Sequence, residues 1–204
     1  AGYWSVTLKF SYFCRMTKFE TLKEIISNRR STKPAALNGR KIDDTVIGEL
    51  LQLANWAPTH ARTEPWRFVV YSHAALHAFC AAHAELYQKY TPEDKFTQAK
   101  FESIKHNGDK ASHLVVVYMH RQVIAKIPVI EEIAAVAAAI QNILLGAEAL
   151  DIAVLWSTGG MTHHPSMKQY LGFGEEDIVM GLLYMGYSDE PHQKGTRAVP
   201  MEAK

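Results

Sequence analysis

The sequence has few cysteines and no excess of either charge. Cys14 and Cys80 are the two cysteines in 204 residues. They offer neither a disulfide framework nor the CxxC and CxxH repeats of a zinc site, and their scarcity fits a reducing, cytoplasmic setting. Lys plus Arg number 22 against 21 Asp plus Glu. No global field therefore draws the chain onto nucleic acid or an acidic membrane, and any anion site has to be local. Catalytic signatures are missing as well. His163 and His164 are adjacent rather than spaced as in HExxH, and Cys80 with His83 makes only half a metal site. There is no GxSxG elbow, no GxGxxG fingerprint and no GxxxxGK loop. Neither a metal centre nor a nucleophilic triad is expected.

What remains is one apolar-rich domain, about the size that a single core can serve. Residues 1–15 (AGYWSVTLKFSYFCR) are aromatic, lack a helical period and make a poor signal peptide, because Lys9 interrupts the apolar run. They are expected to be a non-native or disordered extension, with Met16 as the natural start and residues 16–204 as the domain. From Thr17, Phe19, Leu22, Ile25 and Ile26 fall at helical spacing, with Thr21 and Glu24 as a capping box. Pro34 stops that helix. Asp43 or Asp44 caps a second helix carrying Ile47, Leu50 and Ala54, which runs out at Ala57-Pro58. FVVYS (residues 68–72) and LVVVYM (114–119) read as strands buried on both faces. Between them, residues 76–90 and 93–106 are mainly helical, the second stretch solvated. Residues 131–150 are apolar around most of a helix. Gln141, Asn142, Glu148 and Gly146 favour a helix packed inside a protein on nearly all sides over a membrane span. Strands over 153–156 and 178–187 flank a short helix at 165–170. This order indicates an α+β or three-layer α/β domain.

Three polar stretches invite a chemical reading. SNRRSTKP places Arg29, Arg30, Ser31 and Lys33 where a helix ends. Such a set suits phosphate oxygens, and suits equally a basic helix terminus complementing the helix dipole. APTHARTEPWRF puts His60 and Arg62 in a loop that feeds a strand, with Trp66 as a core plug. WSTGG, at Trp156–Gly160, offers an aromatic face, two hydroxyls, and glycines that let backbone approach a ligand. A fourth, smaller basic cluster, QKGTR, carries Lys194 and Arg197.

Taken in order, NRRSTKP, APTHARTEPWRF, WSTGG and GLLYMGY…KGTR resemble the nitroreductase family over residues 16–197, and most closely its short, compact branch. The resemblance implies an α+β, three-layer fold with a central, mainly antiparallel sheet flanked by helices. It also implies an intertwined homodimer with FMN at the subunit interface, and makes residues 131–150 the interface helix. It assigns Arg29, Arg30 and Ser31 to the flavin's phosphate, ribityl chain and ring edge, and Lys33 to its pyrimidine edge, where a cation stabilises the reduced ring. Trp56 and His60 would contact flavin from the partner subunit, Trp156, Ser157 and Thr158 from the turn after a strand, and Arg197 as a late phosphate contact. The implied activity is ping-pong reduction of nitroaromatics, quinones or similar electron-poor acceptors by NAD(P)H. The alternatives are an FMN-binding protein with little turnover and a related oxidation on the same fold. Two departures, Trp56 where a close relative has arginine and Glu64-Pro65-Trp66 for the commoner Gln- or Asn-Pro-Trp, bear on local polarity and acceptor more than on the cofactor.

Overall fold

The computed structural model describes residues 16–123, 126–191 and 194–204. The expectation for residues 1–15 lies outside them. Helix α1 spans Lys18–Asn28. Its capping box is Thr17 with Glu20 rather than the expected Thr21 with Glu24. Thr17 holds an extended backbone, its hydroxyl accepts the Glu20 N–H, and the Glu20 carboxylate accepts the Thr17 N–H at 2.7 Å. Thr21 already lies inside the first turn, where its hydroxyl donates to the Thr17 carbonyl. Helix α2, Asp44–Ala54, is capped by Asp43, whose carboxylate accepts the Thr45 N–H.

Four strands follow, β1 (Trp66–Ser72), β2 (His113–Met119), β3 (Ala153–Ser157) and β4 (Ile178–Gly186). They form one sheet in the order β1-β2-β4-β3, with every pairing antiparallel. Helices α3 (His73–Tyr90) and α4 (Gln98–Lys105) lie between β1 and β2, α5 (Val129–Ala149) between β2 and β3, and α6 (Pro165–Leu171) between β3 and β4. Alternation along the strands builds two cores. Val115, Val117 and Met119 of β2 and Leu183 and Met185 of β4 face α2 and α5. Leu114 and Val116, with Leu182 and Tyr184, face Leu76 and Phe79 of α3 and Met167 of α6. The result is three layers, as the sequence pattern predicts. Strand β2 is buried on both faces, whereas β1 is not. It sits at the sheet edge with Val70 42% exposed, because only β2 flanks it.

Helix α5 departs most from expectation. Glu132, Val136, Ala139, Ile140, Ile143 and Ala147 are buried against α2 and the sheet, and Gly146 lets the Leu50 and Leu53 side chains of α2 come close enough that a Cβ there would meet Leu53 at 2.5 Å. The opposite face is open among the described residues: Ile130 is 68% exposed and Ala134 and Gln141 are exposed. Helix α1 buries none of its residues, and Phe19, Leu22 and Ile26 are exposed. Two apolar helix faces are thus left without a cover among the described residues.

Candidate functional site

The segment after α1 becomes the outermost element of the sheet. Arg29 leaves the helix with φ −52° and ψ 123°. Ser31 then bridges Val154 in parallel, and the Thr32 N–H donates to the Val154 carbonyl at 3.1 Å. Pro34 is buried and opens a short turn over Pro34–Ala36, Leu37 seats against Gly186, and the Asn38 N–H donates to the Tyr187 carbonyl at 2.8 Å. Residues 29–33 are therefore fixed at both ends by backbone pairing. Beside them opens a cleft of about 630 Å³, lined among others by Arg30, Ser31, Lys33, Glu148, Asp151 and Ser188. Ligand pockets commonly have this size. Arg30 does two jobs. Its Nη1 donates to the Ser27 and Arg29 carbonyls at 2.7 and 2.8 Å, satisfying carbonyls at the end of α1. Its guanidinium also lies against Gly195, where a Cβ would come within 2.2 Å of it. Gly195 thus brings the KGTR segment, and with it Lys194 and exposed Arg197, to the basic strip. Sequence reading found both clusters but not the glycine that joins them.

Strand β3, which carries the strip, ends in the WSTGG turn. The Trp156 indole N–H donates to the Met180 carbonyl at 3.0 Å, and the ring occupies the space over Gly181, where a Cβ would lie 2.1 Å from Nε1. Met180 is the extra residue of a β-bulge: Val117 pairs with Gly181 and Tyr118 with Val179. The bulge and Gly181 together fold the indole onto the sheet. Ser157 is half-buried and Thr158 and Gly159 are exposed, with the Lys100 ammonium of α4 near Gly159. Beneath the turn lies His83 of α3, whose Nε2 accepts the Met161 N–H at 2.9 Å.

Trp56 and His60 lie elsewhere. Trp56 is 85% exposed just beyond α2. The loop after it is strained, with Ala61, Arg62 and Glu64 at φ of 50°, 55° and 44°. Thr59 and Thr63 hold it through a 2.9 Å hydroxyl pair, and His60 Nδ1 meets the Glu131 carboxylate at 2.5 Å. Trp66 plugs the core beneath, as its sequence context predicts, with its indole N–H donating to Asn55. Glu131 is in the first turn of α5, whereas Glu148, in the cleft lining, is in its last. They stand roughly 25 Å apart at 1.5 Å per residue. A single chain therefore gathers Arg30, Ser31 and Lys33 at the cleft with Gly195 packed on Arg30, places Ser157 and Thr158 further along β3, and leaves His60 at the far end of α5, with Trp56 following the end of α2 that Asn142 of α5 binds.

The fold and this edge define a three-layer α+β domain with a cleft that presents Arg30, Lys33 and the hydroxyls of Ser31, Thr32 and Ser188 together with the carboxylates of Glu148, Asp151 and Glu190. The sequence profile of the nitroreductase family matches residues 26–187, and the chain belongs to that family. Among its relatives is Bacillus subtilis (strain 168) YfhC, named "Putative NAD(P)H nitroreductase", 27% identical over 170 residues that cover 83% of this chain and 85% of YfhC. Escherichia coli (strain K12) YdjA, of the same designation, is 24% identical over 167 residues, covering 80% and 86% of the two chains. Among solved structures, a nitroreductase-like family protein from Bacillus cereus superposes with a TM-score of 0.77 at 23% identity, covering 92% of this chain and 95% of that one. A protein from Desulfovibrio desulfuricans described as a "putative nitroreductase", solved in complex with FMN, superposes with a TM-score of 0.67 at 20% identity, covering 89% of this chain and 92% of that one.

Proposed function

We propose that the protein is an FMN-dependent oxidoreductase that uses NAD(P)H to reduce nitroaromatic, quinone or similar electron-poor acceptors, and that it works as a homodimer. The observation that carries the reading is the basic strip of residues 29–33 paired at Ser31 to Val154 of β3, the strand that runs on into WSTGG, with Gly195 packed on Arg30. That donor set suits a phosphorylated, hydroxyl-bearing cofactor: guanidinium groups for phosphate, a serine hydroxyl, and an ammonium at the cleft. FMN when bound supplies two-electron hydride chemistry, which protein side chains lack. The chain's own residues bind and orient it. Arg29, Arg30 and Ser31 would hold its phosphate, ribityl chain and ring edge between them, Arg197 would add a phosphate contact, and Ser157 and Thr158 would contact it from the turn after β3. Lys33 sets a positive charge against the pyrimidine edge, where negative charge grows on reduction. With the flavin carrying the hydride, no side chain has to act as nucleophile or metal ligand.

The length of α5 supports the homodimer. His60 is at one end, the strip is at the other, and Trp56 lies between them, just past the end of α2 that Asn142 of α5 binds. A two-fold related copy with its α5 antiparallel brings each end beside its complement and forms two equivalent sites. The same contact covers the open faces of α1 and α5, which carry Phe19, Leu22, Ile26 and Ile130.

Purified protein is expected to bind FMN, and anaerobic stopped-flow mixing with NADH or NADPH to bleach the flavin absorbance. Protein that remains colourless with added FMN refutes the reading. FMN bound but reduced by neither nucleotide leaves a flavin-binding protein with little turnover. Lys33→Met should lower the bound flavin's reduction potential, and an unchanged potential removes Lys33 from its assigned role. Sedimentation should return a dimer, and a monomer with full FMN affinity would overturn the shared site.

A further inference from the structure

We propose that His83 is the positioning residue of the cofactor-contacting turn, resting on the flavin reading above: its Nε2 holds the Met161 N–H and fixes Ser157–Met161 in the shape that presents Ser157 and Thr158 to the flavin. The ring is 2% exposed and reaches the turn from α3, with α4, β2, α5 and β3 between them in sequence. Three observations converge on this contact. The Met161 N–H to Nε2 bond is 2.9 Å. Gly160 adopts φ +64°, and a Cβ there would lie 2.5 Å from Nε2 and 2.9 Å from Cε1. The turn therefore rests directly on the imidazole edge, and only glycine leaves room for it. Thr162, fully buried, closes the turn from within by donating its hydroxyl to the Gly159 carbonyl at 2.6 Å. The turn thus has one internal clasp and one external one, and His83 is the external one.

The ring's proton inventory argues for the same role. Because Nε2 accepts, the neutral ring carries its proton on Nδ1, and Nδ1 is buried without a hydrogen-bond partner among the described residues. An unmade buried hydrogen bond costs stability. A leucine would pack there without that cost, so the imidazole's use lies in the one bond it does make, to the turn. A second proton on the ring would convert Nε2 from acceptor to donor and break the clasp. Burial chiefly, and then the nearby Lys100 ammonium, holds the ring neutral, with its pKa pushed down to about 4. Lys100 lies over Gly159 on the outer side, so the turn is held between a neutral acceptor below and a cation above.

The test is FMN affinity, measured by fluorescence titration of full-length protein, with the visible circular dichroism of the bound flavin as a second readout. His83→Leu removes the acceptor and keeps apolar volume. It should weaken FMN binding about tenfold, the loss of one hydrogen bond and the order it imposes, and change the flavin's dichroic spectrum. His83→Gln, whose side-chain carbonyl can accept the same N–H, should recover most of the affinity and the wild-type spectrum. Gly160→Ala disturbs the same contact from the turn side without opening the core, and serves if His83→Leu does not fold. It too should weaken FMN binding about tenfold or more, because the Cβ and Nε2 cannot share the space. Affinity within twofold of wild type in His83→Leu, with only the melting temperature lowered, would overturn the proposal, as would unchanged affinity in Gly160→Ala. Wild-type protein that binds no FMN refutes the flavin reading and this proposal with it. Wild-type protein that binds, with variants that bind equally, refutes this proposal alone.

Discussion

Arg121→Met should destabilise the fold far more than an ordinary surface change. Glu132 lies in the first turn of α5, is 1% exposed, and pairs through Oε2 with Arg121 Nη1, while Oε1 has no hydrogen-bond partner among the described residues. The Arg121 N–H donates to Asp177 at 3.1 Å, and the same carboxylate oxygen meets His120 Nδ1 at 2.8 Å. The pair therefore ties the exit of β2 and the entry of β4 to the start of α5. Removing the guanidinium leaves an uncompensated buried carboxylate, which costs about 3–5 kcal/mol. The amino end of α5 offsets part of that charge and places the expectation near the lower end, about 3 kcal/mol. For a domain of this size that corresponds to a fall in melting temperature of roughly 6–12 °C. Urea unfolding followed by far-UV circular dichroism measures it directly. Arg121→Met with Glu132→Leu should recover most of the loss, since replacing a buried pair by apolar groups is often neutral or better. A loss under about 1 kcal/mol in Arg121→Met, or a double variant as unstable as the single one, would refute the claim that the pair is buried and mutually dependent.

Arg30→Ala should cost both FMN affinity and stability, because Arg30 also satisfies the carbonyls at the end of α1. Ser31→Ala should cost affinity alone, and fluorescence titration beside thermal melts separates the two. Cys80 is fully buried, and burial chiefly pushes its thiol up to about 11. It should resist a thiol reagent at pH 8 in native protein and react on unfolding; fast native labelling would contradict its burial. The lowered pKa of His83 makes stability fall as pH drops from about 6.5 to 4, because in that window the unfolded ring binds a proton and the folded one does not, a loss of up to about 3 kcal/mol. Urea midpoints across that window should fall less steeply in His83→Gln, and identical slopes would contradict the assignment.

The elements were legible because each announces itself locally. Four apolar β-rich runs, an aspartate cap and a proline stop sufficed to place the strands, α2 and the end of α1 near their observed positions. The burial of β1 was not legible. An apolar run of five reads the same in a central strand and in an edge strand, and its neighbour count depends on strand order, which no local pattern encodes. The error at α1 was one turn, since Thr17-Glu20 and Thr21-Glu24 have the same spacing and only the backbone at Thr17 decides between them. For the site, the basic strip and the glycine turn were visible as composition. That Ser31 pairs with Val154, or that Gly195 packs on Arg30, depends on contacts between segments more than a hundred residues apart. The role of His83 is not legible in sequence, where it forms only half a metal site with Cys80, because its partner is the backbone N–H of Met161, which leaves no mark in side-chain identity.

The two ends of α5 are organised by different physics, and the difference bears on how such a site could change its acceptor. Backbone pairing to β3, a buried proline and a glycine contact hold the strip, so most side-chain substitutions there would alter charge without moving the chain. Side chains hold the loop that carries His60: the Thr59–Thr63 hydroxyl pair, the His60–Glu131 contact, and three non-glycine residues in left-handed backbone. Left-handed residues of this kind persist only where their surroundings over-determine them. A substitution at Thr59, Thr63 or Glu131 therefore releases strain and re-aims Trp56 and His60 while leaving the strip in place. In the dimeric reading, the strip belongs to one copy and the loop to the other. Cofactor retention and acceptor choice then reside on separately adjustable elements, and the departures from the family pattern at Trp56 and Glu64 fall on the adjustable one.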